Sequence, residues 1–435
     1  MRGTYASTME RHGSAGSKNS EAGARMAIRR AFPGAEPTKD VAEQDGLGSG
    51  QVALRCQEWR SLSIPHFPGV VAICLGTLGG AAEQAAPAER RRKALPGAEG
   101  GGPCMKAAAA LQLMKVFVTR RLPPEGRAAL ARAGGCSIQQ WDSDEPIPQS
   151  ELLAGVAGKD GLLCLLSDRI DKEVLDAAGP SLKVISTLSV GYDHLATDEI
   201  KKRGIRVGYT PDILTDATAE LTVALLLATS RRLPESVEEV KNGGWTTWKP
   251  LWMCGYGLSG STVGIIGLGR IGQAVARRLK PFGVKRFLYS GRHPKPEGMA
   301  EFGAEFVPVA KLAEESDFVI VTCSLTPDTQ GMCNRDFFCK MKKTALFINT
   351  SRGAVVNQGD LYNALVKGHI AAAGLDVTTP EPLPPAHPLL SLKNCVILPH
   401  IGSATYATRN TMSVLAANNL LAGLKGESMP SELKL

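Results

Sequence analysis

The chain has 435 residues, of which 43% are apolar and 21% charged. At about 150 residues per domain this is enough for about three units with real cores, which excludes a wholly disordered or fibrous chain. Lys and Arg number 50 against 42 Asp and Glu, and a net +8 spread over this length is too thin a surplus to argue for nucleic acid as a partner.

Residues before Met114 hold 14 Lys/Arg and 10 Asp/Glu, so half of the excess charge lies in the first quarter of the chain. Residues 1–112 are rich in Gly, Ala, Ser, Pro and Arg without helical or strand periodicity, and are expected to be a disordered N-terminal extension. Arg2, Arg11, Lys18, Arg25, Arg29 and Arg30 set against only Glu10 and Glu21 give its opening a composition that a mitochondrial transit peptide shares. The run Arg90-Arg91-Arg92-Lys93 reads either as a nuclear address or as solvated charge. The longest apolar run, 68–80, is shorter than the ~20 residues of a membrane-spanning helix, so no membrane is expected. Ten cysteines without a C-x-x-C pair point to a reducing compartment. The cytoplasm is the expected location, with mitochondrial or peroxisomal placement left open, although the closing Glu-Leu-Lys-Leu is not an S-K-L address.

From Met114 apolar runs of strand length alternate with helical patterns. Strands are expected at 116–119, 137–141, 161–167, 183–189 and 206–210, with helices at 125–133, 151–156, 172–178 and 194–202. Amphipathic stretches at 217–229 and 234–242 lead into a loop carrying Trp245, Trp248 and Trp252. The rhythm resumes with strands at 262–267, 285–290, 304–308, 317–323, 344–350, 370–377 and 394–399, and a last helix spans 405–424. Uniformly apolar strands such as DFVIVTC and TALFINT mark sheets covered on both faces. The expected fold class is therefore α/β, with two doubly wound, Rossmann-like domains built on parallel sheets.

The strand at 262–267 runs into Gly267-Leu-Gly269-Arg270-Ile271-Gly272 and then a helical pattern. This is G-x-G-x-x-G in the context it requires. Gly267 permits a tight turn, Gly269 lets a pyrophosphate approach the backbone, and Gly272 allows close helix packing, with the diphosphate on the helix N-terminus. An NAD-specific site places an acid after the next strand, whereas here the tip reads Ser290-Gly291-Arg292-His293-Pro294-Lys295. Arg292, His293 and Lys295 suit a ribose 2′-phosphate, so NADPH is expected over NADH.

Three residues near strand ends carry candidate chemistry. Arg352, in Ser351-Arg352-Gly353, can clamp a carboxylate bidentately. Glu381 sits in the proline-stiffened Asp376-Val-Thr-Thr-Pro-Glu381-Pro, and His400 follows the strand Cys395-Val-Ile-Leu-Pro. A carboxylate beside an imidazole favours the protonated ring, which a general acid needs. Taken singly, each reads more readily as a structural residue than as a catalytic one. The other six histidines, at 12, 66, 194, 293, 369 and 387, have no comparable setting, and no metal site is expected.

Together, Gly267-x-Gly269-x-x-Gly272, Ser351-Arg352-Gly353, Asp376-x-x-x-Pro-Glu381-Pro and Pro399-His400-Ile-Gly402-Ser403 resemble the D-2-hydroxyacid dehydrogenase family over essentially all of 114–435. The resemblance implies a discontinuous substrate domain, 114–213 with 406–435, around a coenzyme domain, 214–405, and a homodimer built through the coenzyme domains. It implies NADPH-dependent reduction of small 2-oxo acids, with glyoxylate and hydroxypyruvate as substrates. His400 is then the proton donor, Glu381 the carboxylate supporting its proton, and Arg352 the clamp on the substrate carboxylate. Backbone groups of Val190 and Gly191 would hold the acid from the other domain, with Ser403 beside it. Arg270, Ile271, Ser324, Thr350, Asp376 and Gly402 would line the cofactor. Trp248 would reach into the partner's site. Alanine at 354, after Ser-Arg-Gly, departs from the polar residue frequent in relatives. Two alternatives stay open: a nucleotide-sensing, corepressor-like interaction protein, and another D-2-hydroxyacid dehydrogenase.

Overall fold

The computed structural model describes residues 113–435. The expectations of a disordered extension, of basic addresses and of transit-peptide character fall outside the described residues.

Strand and helix alternate from the start: β1 (Met114–Val118), α1 (Pro124–Arg132), β2 (Cys136–Gln140), α2 (Gln149–Val156), β3 (Gly161–Cys164), α3 (Lys172–Ala178), β4 (Val184–Thr187), α4 (Thr197–Lys202) and β5 (Arg206–Gly208). β3 and β4 are buried at every residue, as strands covered on both faces must be. These strands pair in parallel in the order β2-β1-β3-β4-β5.

Two helices, α5 (Thr215–Ser230) and α6 (Leu233–Lys241), lead to a second alternation. It contains β6 (Thr262–Ile266), α7 (Arg270–Leu279), β7 (Arg286–Ser290), α8 (Pro296–Phe302), β8 (Glu305–Phe306), α9 (Val309–Glu315), β9 (Phe318–Val321), α10 (Arg335–Lys340), β10 (Leu346–Asn349), α11 (Gln358–Val366), β11 (Ala372–Leu375) and β12 (Cys395–Ile397). The order β8-β7-β6-β9-β10-β11-β12 reverses direction between β6 and β9, the place where open α/β sheets take ligands outside the carboxyl ends of their strands.

The last helix, α12 (Tyr406–Leu424), returns to the first sheet. Its Met412, Ala416, Leu420 and Leu424 share one core with Val116, Val118, Leu163 and Val184. The buried Ser186 hydroxyl donates to the Ala416 carbonyl at 2.8 Å. The fold is thus two α/β domains, the first of them discontinuous. One departure from wholly parallel sheets is β13 (Glu432–Leu433), which pairs antiparallel with β5. Two residues carry no periodicity, and what fixes them is distant: Arg206 grips Glu432 through two hydrogen bonds of 2.7 and 2.8 Å.

Strands end earlier than their apolar runs. The stretches read as 161–167, 344–350 and 394–399 pair only to Cys164, Asn349 and Ile397, because the chain leaves each ladder where loop residues begin to converge. The helix expected from residue 194 begins at Thr197. His194 lies before it, its Nε2 2.9 Å from the Thr187 hydroxyl. No helix among the described residues is long and apolar enough to cross a membrane.

Candidate active site

At the end of β6 the three glycines do different work. Gly267 has φ +96°, and a Cβ there would fall 2.6 Å from Cys323 Cα, so neither the backbone angle nor the space admits a side chain. A Cβ on Gly272 would lie 2.5 Å from the Gly267 carbonyl oxygen, which fixes the close approach of α7. A Cβ on Gly269 would meet no protein atom within 4 Å. That open cradle at the N-terminus of α7 fits the diphosphate of a dinucleotide. At the tip of β7 Arg292, His293 and Lys295 are exposed, with no acid among residues 290–295, and Lys295 Nζ lies 3.9 Å from Glu297. Arg270 forms an ion pair with Asp212, a left-handed residue (φ 71°) in the segment that leaves the first domain. Ile271 packs against cores of both domains.

Arg352 follows β10 through a turn that the buried Asn349 clasps. Asn349 Oδ1 accepts from the Ser351 N–H at 3.0 Å and the Ser351 hydroxyl at 2.8 Å, while its Nδ2 donates to the Arg352 carbonyl at 2.9 Å. The Arg352 guanidinium then points at the loop 189–194, with Nε donating to Asp193 Oδ1 at 2.9 Å and Nη1 to the Ser351 carbonyl at 2.9 Å. A Cβ on Gly191 would overlap Nη2, so the glycine is what lets the guanidinium lie against this loop. Behind it runs a chain of hydroxyls: Ser189 donates to the Gly191 carbonyl at 2.7 Å, meets Thr187 at 2.8 Å, and Thr187 meets His194. Burial holds the His194 imidazole down at about 4, against the pull of Asp193, so this ring is neutral at pH 7.

His400 and Glu381 form a dyad, with Nδ1 to Oε2 at 2.8 Å. The other carboxylate oxygen accepts the Thr378 N–H at 2.9 Å, and Gln358 pins the loop through two bonds to Thr379 at 2.6 and 2.7 Å. Burial pushes the Glu381 carboxyl up, yet the bond to His400, the ring's charge, the Thr378 N–H and the Arg352 charge together hold it below the ordinary carboxylate value. His400 is left-handed at φ 54°, a strained angle for a non-glycine residue. With Nδ1 committed to Glu381, Nε2 is the nitrogen free to pass a proton.

The structure thus places Arg352, Glu381 and His400 in the loops after β10, β11 and β12, at the carboxyl edge of the sheet whose β6 opens into the glycine cradle, with the Gly191 loop against Arg352. Asp376 is 1% exposed, and its carboxylate accepts the N–H groups of Ile401 and Gly402, both at 2.8 Å. Burial raises its carboxyl despite those bonds. Other expected residues are less engaged. The Thr350 hydroxyl is buried against Thr222 at 2.8 Å, Ser324 is exposed, Ser403 is part-buried, Val190 packs on the first domain's core, and Trp248 is 79% exposed. Sequence reasoning missed Asp193, Asn349 and Gln358, and it dismissed His194, which lies behind the Arg352 loop. Among the described residues no group of three His, Cys, Asp or Glu could hold a metal.

This architecture and site define a nucleotide-linked α/β oxidoreductase of two lobes. Residues 223–402 match the family described as D-isomer specific 2-hydroxyacid dehydrogenase, NAD binding domain, and the chain belongs to the D-2-hydroxyacid dehydrogenase family. It is 76% identical over 324 residues to the mouse glyoxylate reductase/hydroxypyruvate reductase, covering 74% of this chain and 99% of the relative. The human protein of the same name is 76% identical over 325 residues, covering 75% of this chain and 99% of the relative. Among solved structures, the NADPH-dependent glyoxylate/hydroxypyruvate reductase of Sinorhizobium meliloti, in complex with NADP and malonate, superposes with a TM-score of 0.63 at 32% identity, over 74% of this chain and 96% of that one.

Proposed function

We propose that the chain reduces glyoxylate to glycolate and hydroxypyruvate to D-glycerate with NADPH. The observation that carries this reading is the Glu381–His400 dyad, with the Arg352 charge acting on Glu381, at the carboxyl edge of the sheet that carries the Gly267–Gly272 cradle. When bound, the nicotinamide cofactor supplies the hydride. Arg352 holds the carboxylate of the 2-oxo acid, helped by the Val190 and Gly191 backbone and by Ser403. His400 gives its Nε2 proton to the carbonyl oxygen as that oxygen gains charge, and Glu381 supports the positive ring until the proton leaves. Residues 114–213 with 406–435 serve the substrate, and residues 214–405 the coenzyme. Arg270, Ile271, Ser324, Thr350, Asp376 and Gly402 line the coenzyme, and the acid-free tip with Arg292, His293 and Lys295 favours the 2′-phosphate of NADPH.

Two further parts of the reading rest on surface chemistry. α6 has no buried residue, its Leu233, Val237 and Val240 form an exposed apolar face, and the loop that follows it in the chain exposes Trp245, Trp248 and Leu251. This fits a homodimer in which Trp248 reaches the partner's site; light scattering should then give twice the chain mass, reduced by half on joint Val237→Asp and Val240→Asp substitution. The seven described cysteines are free, which fits the cytosol.

The test is steady-state reduction of both acids by the full chain with NADPH and with NADH. Turnover with both acids, at higher kcat/KM with NADPH, supports the reading. Cofactor binding without turnover of either acid contradicts it.

A further inference from the structure

A guanidinium offers a carboxylate two edges, one spanning Nε and Nη2 and one spanning Nη1 and Nη2. In Arg352 the first edge is taken, because Nε donates to Asp193 Oδ1 at 2.9 Å across 159 residues of sequence. The Ser351 carbonyl takes one Nη1 hydrogen. Nη2, the nitrogen that both edges share, lies where a Gly191 side chain would stand, so the guanidinium packs directly on the Gly191 backbone. Asp193 belongs to that loop, and both members of the pair are partly buried, with side-chain exposures of 23% for Arg352 and 33% for Asp193.

We propose that Asp193 is a positioning residue for the 2-oxo acid site: by occupying Nε it holds the Arg352 guanidinium against the Gly191 loop and leaves the Nη1–Nη2 edge to take the substrate carboxylate end-on. The inference rests on the reading of Arg352 as the carboxylate clamp. An acceptor at Nε also fixes the guanidinium plane before substrate arrives, so the acid does not have to order the side chain. Without it the guanidinium can swing to offer its other edge, and the acid's carbonyl is no longer brought to His400 in one pose. The acceptor oxygen does this work more than the charge, so asparagine is expected to replace aspartate and alanine is not.

The experiment compares wild type, Asp193→Ala, Asp193→Asn, Gly191→Ala, Arg352→Ala and the Asp193→Ala/Arg352→Ala double variant. It reads KM and kcat for glyoxylate and hydroxypyruvate, NADPH affinity by fluorescence, and thermal midpoint. The expected result is a rise of about tenfold in KM for both acids in Asp193→Ala, with NADPH affinity unchanged and most of the loss recovered in Asp193→Asn. Gly191→Ala, which displaces Nη2 directly, gives the same KM signature should Asp193→Ala fail to fold. The double variant is no worse than Arg352→Ala alone, because Asp193 acts only through that guanidinium. A KM within twofold of wild type in Asp193→Ala, an additive loss in the double variant, or parallel losses of NADPH affinity and stability overturn the proposal. If Arg352→Ala itself leaves KM unmoved, the clamp reading fails first and takes this inference with it.

Discussion

Asp376 holds the strained peptide that carries His400. Its backbone carbonyl accepts the His400 N–H at 2.9 Å, and its two carboxylate oxygens accept the next two N–H groups, of Ile401 and Gly402. A left-handed histidine persists only where its surroundings over-determine it, and three bonds from one residue do so here.

Replacing Asp376 with Asn should therefore disturb the dyad without touching it. An amide cannot accept on both sides, so one of the two N–H groups meets an NH2 and loses its partner, at a cost of about 1–3 kcal/mol. Kinetics on Asp376→Asn should give a kcat reduced by about tenfold or more. Wild-type kcat in this variant would show that the His400 turn does not need the carboxylate.

The phosphate cradle predicts a contrast between two glycine substitutions. Gly267→Ala requires a positive φ and a clash with the Cys323 backbone, so it should lower the thermal midpoint and abolish dinucleotide binding together. Gly269→Ala meets no protein atom, so it should fold with a midpoint near wild type and still lose affinity for NADPH. Calorimetry and fluorescence titration of the two proteins read the difference. Full affinity in Gly269→Ala would place the diphosphate elsewhere.

His194 should leave an acid limb in the stability curve. The folded ring titrates at about 4 against an ordinary value of 6.5, so between those values the unfolded chain binds the extra proton. Stability from this residue is complete above about pH 6.5 and is lost as pH falls toward 4, by about 2 kcal/mol after allowance for partial exposure. Denaturant midpoints across pH 4–7 measure it, and His194→Gln should flatten that part of the curve. An unchanged slope in His194→Gln would assign the acid limb to other groups.

What was legible in the sequence was local. The glycine spacing at 267–272 with strand before and helix after, the basic tip of β7, and the loops of Arg352, Glu381 and His400 each carry their signal within a few residues. The alternation of fully apolar strands gave the two-domain α/β fold for a similar reason, since burial on both faces writes itself into every strand. What stayed hidden depends on distant partners. Nothing near Asp193 announces that Arg352 will reach it from the other domain, and nothing near Glu432 announces Arg206. Asn349 reads as the end of an apolar strand until its amide is seen to clasp the Arg352 turn. His194 looked ordinary because its neutrality comes from burial, which no motif records.

Proton delivery by the Glu381–His400 dyad, as proposed, is tested most directly by His400→Ala. The side chain sits on a turn held by Asp376 through backbone groups, so its removal should leave the fold and NADPH affinity intact. Single-turnover oxidation of NADPH by glyoxylate should slow by about 10²–10⁴-fold, the range expected for loss of a positioned general acid. A single-turnover rate equal to that of wild type, with NADPH bound normally, would contradict the assignment of His400.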